Sequence, residues 1–259
     1  MDNTRCLNNP KLTAACAEKP MDRLLACYEG VTAAHLIWIF IIAGVLGFVL
    51  ENLYCLGTSS VIESRQGLIY GPFSQIYGFG AVLLALVLVP LRQLGYIWVF
   101  IGGGVAGGVF EALCGIIQEV VFGSASWGYS HHNISFFGGR TSLKYVLIWG
   151  VLSVLYIRFF YPMCTSLVDR VPRKIRRVNT VVIVLILCAD MGLSAIAVSR
   201  WAGRLSGNPA KSDIEVWLDE RYPDEKLREI YPNMRFMETE SPGTISGDES
   251  ASLDTTDAG

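Results

Sequence analysis

The sequence predicts an all-α fold: a polytopic integral membrane helical bundle with five transmembrane helices. Three observations predict it. Of the 259 residues 52% are apolar and only 17% are charged, against about 25% charged in an average soluble domain. Charge is also confined: between Thr32 and Leu56 the only ionisable groups are His35, Glu51, Tyr54 and Cys55. Finally, five apolar runs reach the roughly 17–25 residues that an α-helix needs to cross the hydrocarbon core. The net charge of −2 gives no reason to expect a nucleic acid partner.

Residues 1–30 read as a polar N-terminal segment. The apolar run behind it is too long for the core of a cleavable signal, so the first span is expected to be retained. The seven cysteines show no C-x-x-C spacing and read as structural thiols rather than a zinc or disulfide framework. Cys6, Cys16 and Cys27 would pair only facing an oxidising compartment. The spans are Ala33–Tyr54, Gln75–Leu91, Tyr96–Phe122, Leu143–Cys164 and Val181–Arg200, giving a transmembrane domain over 31–200. The third is long enough to tilt or protrude. The fourth is interrupted near its end by Arg158 and Pro162. The chain from Trp201 onward differs in kind, with 13 acidic and 6 basic residues. Over 201–238 it reads as a short helical, acidic tail. Ser212-x-x-Glu215 forms a capping box before a helix bearing Ile214, Trp217 and Leu218, and Pro223-Asp224-Glu225 opens another. The Ser/Thr/Gly/Asp/Glu-rich stretch 239–259 cannot bury a core and reads as disordered.

Lys and Arg near the span ends set orientation. The fourth loop carries Arg170, Arg173, Lys174, Arg176 and Arg177; the N-terminal segment and Arg92 add to the same side. The other side has Arg65, Arg140, Lys144, Arg204 and Lys211. The N-terminus is therefore expected in the cytoplasm and the C-terminal tail outside.

Charge inside a span is costly and by default a functional hypothesis. Glu51, Glu111 and Asp190 lie within spans one, three and five, and Glu119 lies further along span three. At a rise of roughly 1.5 Å per residue, Glu111 sits about 20 Å from the cytoplasmic side. A bundle can gather these acids into an outer polar cavity, with Arg140 or Arg200 as counter-charge. Alternatively they cap helix ends or bond between helices. The glycine- and tyrosine-rich stretch Ser64–Gly80 suggests a non-helical entry to span two, either a re-entrant lid or a tight interfacial turn. Gly102, Gly104 and Gly107 match G-x-G-x-x-G, but no strand precedes them, so dinucleotide binding is rejected. The useful content is close helix packing through Gly103, Gly104, Gly107 and Gly108. Adjacent His131 and His132 do not converge on one ion, and no metal or cofactor is expected.

The stretch from about Phe40 to Arg200 resembles the bacterial membrane proteins described as putative ABC-transporter type IV, the CmpB type. The resemblance rests on Glu51, Gly67-Leu68-Ile69-Tyr70-Gly71-Pro72, Ile76-Tyr77-Gly78, Glu111, Trp127-x-Tyr129-Ser130, Asn133 and Gly139-Arg140. Gln75 stands where that family usually carries proline, and Gly128 where it carries aspartate. The resemblance implies a transporter permease. The chain has no G-x-x-x-x-G-K-[ST], so the ATPase would be a separate subunit.

The reading is a multi-pass protein of the bacterial cytoplasmic membrane, a transporter or permease-like subunit that binds a small polar solute. The expected site comprises Glu51, Arg65, Tyr70, Tyr77, Glu111, Glu119, Tyr129, Asn133, Arg140 and Asp190. Partners are the lipid bilayer, that solute, and a separate ATPase or a second copy of the chain. The rivals are a scaffold or sensor relying on the glycines, and an enzyme acting on lipid or envelope precursors. No nucleophile–base constellation favours the latter, so an enzyme is not the preferred reading.

Overall fold

The computed structural model describes residues 31–59, 64–130 and 134–236; the N-terminal cysteines, His131, His132, Asn133 and the 239–259 stretch lie outside them. The helices are α1 (Ala33–Ser59), α2 (Gln75–Leu91), α3 (Tyr96–Phe122), α4 (Leu143–Leu155), α5 (Tyr161–Arg170), α6 (Arg173–Leu205), α7 (Asp213–Arg221) and α8 (Asp224–Ile230). Among the described residues five helices are long and apolar enough to cross a membrane. The fold class read from the sequence is therefore the one the protein adopts. The second and third spans keep the bounds read from the sequence, whereas the others run longer.

Spans four and five lengthen for different reasons. α4 does not stop at Arg158 and Pro162. It passes through one π-helical turn, Tyr156–Phe160, into α5. Pro162 sits in the first turn of α5, and a proline has no N–H to give to the preceding turn. The wider turn absorbs that loss, and the span continues to Arg170. α6 is 33 residues long, about 50 Å of helix against a hydrocarbon core of about 30 Å. Its basic first turn and its last turn therefore project beyond the apolar band.

Glycine brings the helices together. On α3, a Cβ on Gly104 would meet the Val146 carbonyl oxygen at 2.9 Å, and one on Gly108 would meet the Val146 side chain at 2.8 Å. Gly103 and Gly107 face Ser153 and Trp149 in the same way. All four glycines are buried, so they pack α3 against α4 inside the chain. Gly47 and Gly78 do the same between α1 and α2, and Gly44 admits Phe73 from the segment before α2. In a membrane such packing acts through dispersion rather than hydrophobic expulsion. The core formed by Ile39, Leu84, Leu88, Val99, Tyr156 and Cys164 joins the first four spans. Outward residues such as Ile97, Val120 and Leu185 are 65–79% exposed, as a lipid-facing surface requires.

The segment before α2 is re-entrant. The Ser74 N–H donates to the Gly44 carbonyl at 3.0 Å, so α2 begins level with the middle of α1. Leu68, Ile69, Phe73 and Ser74 are all buried. Irregular backbone at membrane depth is tolerated when protein covers it in this way.

The tail forms a small cap on the end that also carries residues 64–74 and 123–142. The Ser212 hydroxyl accepts from Glu215 N–H at 3.3 Å. The Glu215 carboxylate reaches back to Lys211 N–H rather than to Ser212, so the reciprocal bond lands one residue early. Leu218, Tyr222, Leu227 and Tyr231 bury themselves against Ile69, Ala197 and Trp201. Ile214 and Trp217, expected on the same helix, stay exposed. Arg235–Phe236 completes the cap by pairing antiparallel with Ser124–Ala125.

Candidate functional site

Glu111 sits 15 residues into α3, about 22 Å from its first residue. Its carboxylate accepts from the Tyr129 hydroxyl at 3.0 Å and from Thr141 Oγ1 at 2.8 Å. The Trp149 indole N–H is also within bonding reach. All three donors are neutral, and none of these contacts is a cation. A carboxylate held this way in an apolar bundle is satisfied as an acceptor but not neutralised.

Two loop devices deliver the donors. The hairpin Ser135–Phe136 with Thr141–Ser142 turns through Gly138 and Gly139, both at positive φ. A Cβ on Gly139 would stand 2.8 Å from the Ser130 nitrogen, so the turn demands glycine there. Arg140 is the last residue of the turn and Thr141 the first of the returning strand. Thr141 reaches inward to Glu111, while Arg140 reaches Glu119. Tyr129 is held by its own N–H, which donates to the Gly139 carbonyl at 2.7 Å. Its ring stacks on Tyr145 with centroids 4.1 Å apart. Burial first, and the Glu111 charge second, push the Tyr129 phenol well above its ordinary value. It remains a proton donor at any physiological pH.

Arg140 is not the partner of Glu111. Its guanidinium forks onto Glu119, with Nε 3.1 Å from each carboxylate oxygen and Nη2 bonded to Oε2. Nη1 donates to the Phe137 carbonyl. The stem crosses Gly115, where a Cβ would lie 3.5 Å away. The bond to Glu119 raises the Arg140 pKa, so the guanidinium keeps its charge. It latches the hairpin to the end of α3.

Glu51 lies on the neighbouring side. The Tyr77 hydroxyl is hydrogen bonded to it, and Tyr77 is close enough to feel Glu111 as well. Arg65 lies within electrostatic range of Glu51 and donates to Cys55 Sγ at 3.2 Å. Glu51, Tyr77 and Glu111 therefore form one polar tract across α1, α2 and α3. Gln75 Oε1 is buried beside it without a partner, packed against Gly67.

Asp190 serves a different cluster. It accepts from the Tyr70 N–H and the Ser194 hydroxyl, both at 3.3 Å. Ser194 in turn accepts from the Ile69 N–H at 2.9 Å. The Tyr70 hydroxyl bonds Tyr222 of the cap at 2.8 Å. Asp190 and Tyr70 thus clamp the re-entrant segment between α6 and the tail. Arg200, a possible counter-charge for the acids, belongs to the tail: it forks onto Asp219 at 2.7–2.9 Å. Arg204 bonds both Asp219 and Asp224. Asn133 lies outside the described residues.

Sequence reasoning missed Thr141, Trp149, Asp219 and Tyr222. No local signal marks the first two: Thr141 acts through a hairpin of two-residue strands, and Trp149 through the packing of α4 on α3. Asp219 had a signal: its spacing from Arg200 and Arg204 becomes meaningful once the tail is allowed to fold back.

A family model described as putative ABC-transporter type IV matches residues 38–195. The match runs from α1 into α6 and takes in Glu51, Tyr77, Glu111 and Arg140; it ends before the cap. None of the curated proteins and none of the solved structures searched matches the chain.

Proposed function

From the premise that the chain belongs to the putative ABC-transporter type IV family, we propose that it is a transporter or permease-like subunit. Its polar tract, centred on Glu111 with Glu51 and Tyr77, binds a small polar solute or cation from the end of the bundle that carries the tail. One observation supports this reading above the rest: Glu111, half-buried within its span, is held by neutral donors, with no cation in bonding contact among the described residues. An intramembrane acid left in that state is expensive for mere structure and suited to taking up a proton or a cationic group. Arg140 and Glu119 hold the hairpin over the tract, and Asp190 with Tyr70 hold the re-entrant segment beside it. The membrane is the bacterial cytoplasmic membrane, with the N-terminus inside. A separate ATPase would meet the opposite end, where the short links at residues 92–95 and 171–172 emerge.

The scaffold reading has less support, because Gly103, Gly104, Gly107 and Gly108 are covered by α4 and offer no open face to a second protomer.

The test is the melting temperature of detergent-purified protein against a panel of polar solutes and cations across pH, for wild type and Glu111→Gln. A ligand of the folded state raises the melting temperature by mass action. The expected result is a shift in wild type that disappears in the variant. Equal shifts in both proteins, or none with any solute at any pH, would remove Glu111 from the mechanism.

A further inference from the structure

At the end of the bundle opposite the cap, three spans terminate around an open cleft of about 490 Å³. Thr32, His35, Asp169, Val171 and Pro172 line it together with Arg170, Arg173 and Arg176. None of these residues contributes to the polar tract around Glu111. His35 is almost fully buried, at 3% exposure. Its Nδ1 accepts from the Thr32 N–H at 3.0 Å, which leaves Nε2–H to donate to Asp169 Oδ1 at 3.0 Å. Arg176 donates to the same Asp169 oxygen at 3.1 Å and to the Val168 carbonyl at 3.0 Å. The floor of the cleft is thus a built lattice joining α1, α5 and α6, and among the described residues it consumes the only acid that lines the cleft.

Arg170 and Arg173 are left over. Among the described residues neither makes an ion pair or a hydrogen bond, and both are exposed on the cleft wall. α6 places Arg173, Lys174 and Arg176 in its opening turns with no acid in its first turn. Cations there face the positive end of the helix dipole and one another, an arrangement that an anion relieves. The cleft also lies where spans end, at headgroup level. From Arg170, Leu167 and Met163 continue along the same face of the fourth span by helical spacing, and both are more than half exposed. A ligand with an anionic head and an apolar tail matches that sequence of surfaces.

We propose that this cleft binds the phosphodiester headgroup of an anionic membrane phospholipid. Arg170 and Arg173 grip the phosphate, and the acyl chains run past Leu167 and Met163. Diffuse attraction of basic loops to an anionic leaflet is a different phenomenon, because it depends on charge number and not on position. The two are separable, since Lys174 and Arg177 carry the same charge within a turn or so of Arg173 on α6 but do not line the cleft.

The experiment compares wild type, Arg170→Gln/Arg173→Gln and Lys174→Gln/Arg177→Gln in phosphatidylcholine nanodiscs with and without phosphatidylglycerol. The readouts are the melting temperature and the lipid retained in native mass spectra. Phosphatidylglycerol should raise the melting temperature of wild type and of the Lys174/Arg177 pair. In the Arg170/Arg173 pair that shift should fall by more than half and the retained lipid should be lost. Equal losses in the two pairs, or no effect of phosphatidylglycerol on wild type, would overturn the site. Inorganic phosphate reproducing the shift in phosphatidylcholine alone would overturn the lipid assignment in favour of a free anion. If the Arg170/Arg173 pair does not fold, Arg173→Gln alone is read against Lys174→Gln by the same criteria.

Discussion

At the scale of single residues, Glu111 is held by donors that never change their charge. Tyr129 is the informative one, because burial and the nearby carboxylate keep its phenol protonated. Replacing it by phenylalanine removes one donor and little volume, so the carboxylate loses a bond without gaining water. A buried acceptor stripped of a partner costs about 1–3 kcal/mol. Tyr129→Phe should therefore lower the melting temperature measurably. The loss should be largest where Glu111 is ionised and vanish in a Glu111→Gln background. An unchanged melting temperature in both backgrounds would mean that water already serves Glu111 and that the Tyr129 bond contributes nothing. The sequence made Glu111 and Tyr129 visible as an intramembrane acid and a polar loop aromatic. It concealed which cation went with which acid. Arg140 precedes α4 and is 29 residues from Glu111 and 21 from Glu119 in the chain, and only the hairpin register decides between them.

At the scale of elements, the bundle was legible wherever apolar length alone decides, as for α2 and α3. Two things escaped. The fourth span continues through Pro162 because a π turn absorbs a defect that composition alone reads as an ending. The tail helices were recognisable from Ser212 and Pro223, but local capping says nothing of where a helix docks. Its docking depends on ionic pairs that have a definite pH window. The hydrogen bond from Arg200, followed by that from Arg204, holds Asp219 below its ordinary value. A carboxylate depressed in the folded state contributes stability that is present above its unfolded pKa and is lost as pH falls through that range. At the other limit, burial raises Tyr222 and Tyr231 to about 12 from an ordinary 10.0. Their contribution is present below 10 and is lost as pH rises toward 12. The cap should therefore stay docked between about pH 4 and 10 and be weakened beyond either limit. Protease cleavage after Arg221 or Lys226 reads the release. Asp219→Asn should permit cleavage at neutral pH; protection equal to wild type would show that the apolar contacts of Leu218 and Leu227 suffice.

At the scale of the whole molecule, five spans put the two described ends of the chain on opposite sides of the bilayer, and the remaining question is which side is which. Counting Lys and Arg by end gave an orientation with the tail outside, although the tail end also holds several cations. The structure changes the weight of that count. At the tail end Arg140, Arg200 and Arg204 are each bonded to a carboxylate of the chain itself. At the opposite end Arg170 and Arg173 have no such partner among the described residues, and Lys174 and Arg177 are exposed beside them. The pairing of Arg140, Arg200 and Arg204 thus lowers their weight against the short α5–α6 link, whose Arg170, Arg173, Lys174 and Arg177 form no ion pair among the described residues. Translocation is resisted by the free cations in short loops, which favours the α5–α6 link as cytoplasmic. Ile214→Cys on the exposed face of α7 should then react with a membrane-impermeant maleimide on intact cells. Lys174→Cys should react only after permeabilisation, with wild type reporting the background from the native cysteines, Cys6, Cys16 and Cys27 in the N-terminal segment included. The reverse pattern would place the polar tract and its cap in the cytoplasm and the arginine cleft outside. The cleft would then face the leaflet poorer in anionic lipid, and both the transport direction and the lipid assignment would have to be rebuilt from the other side.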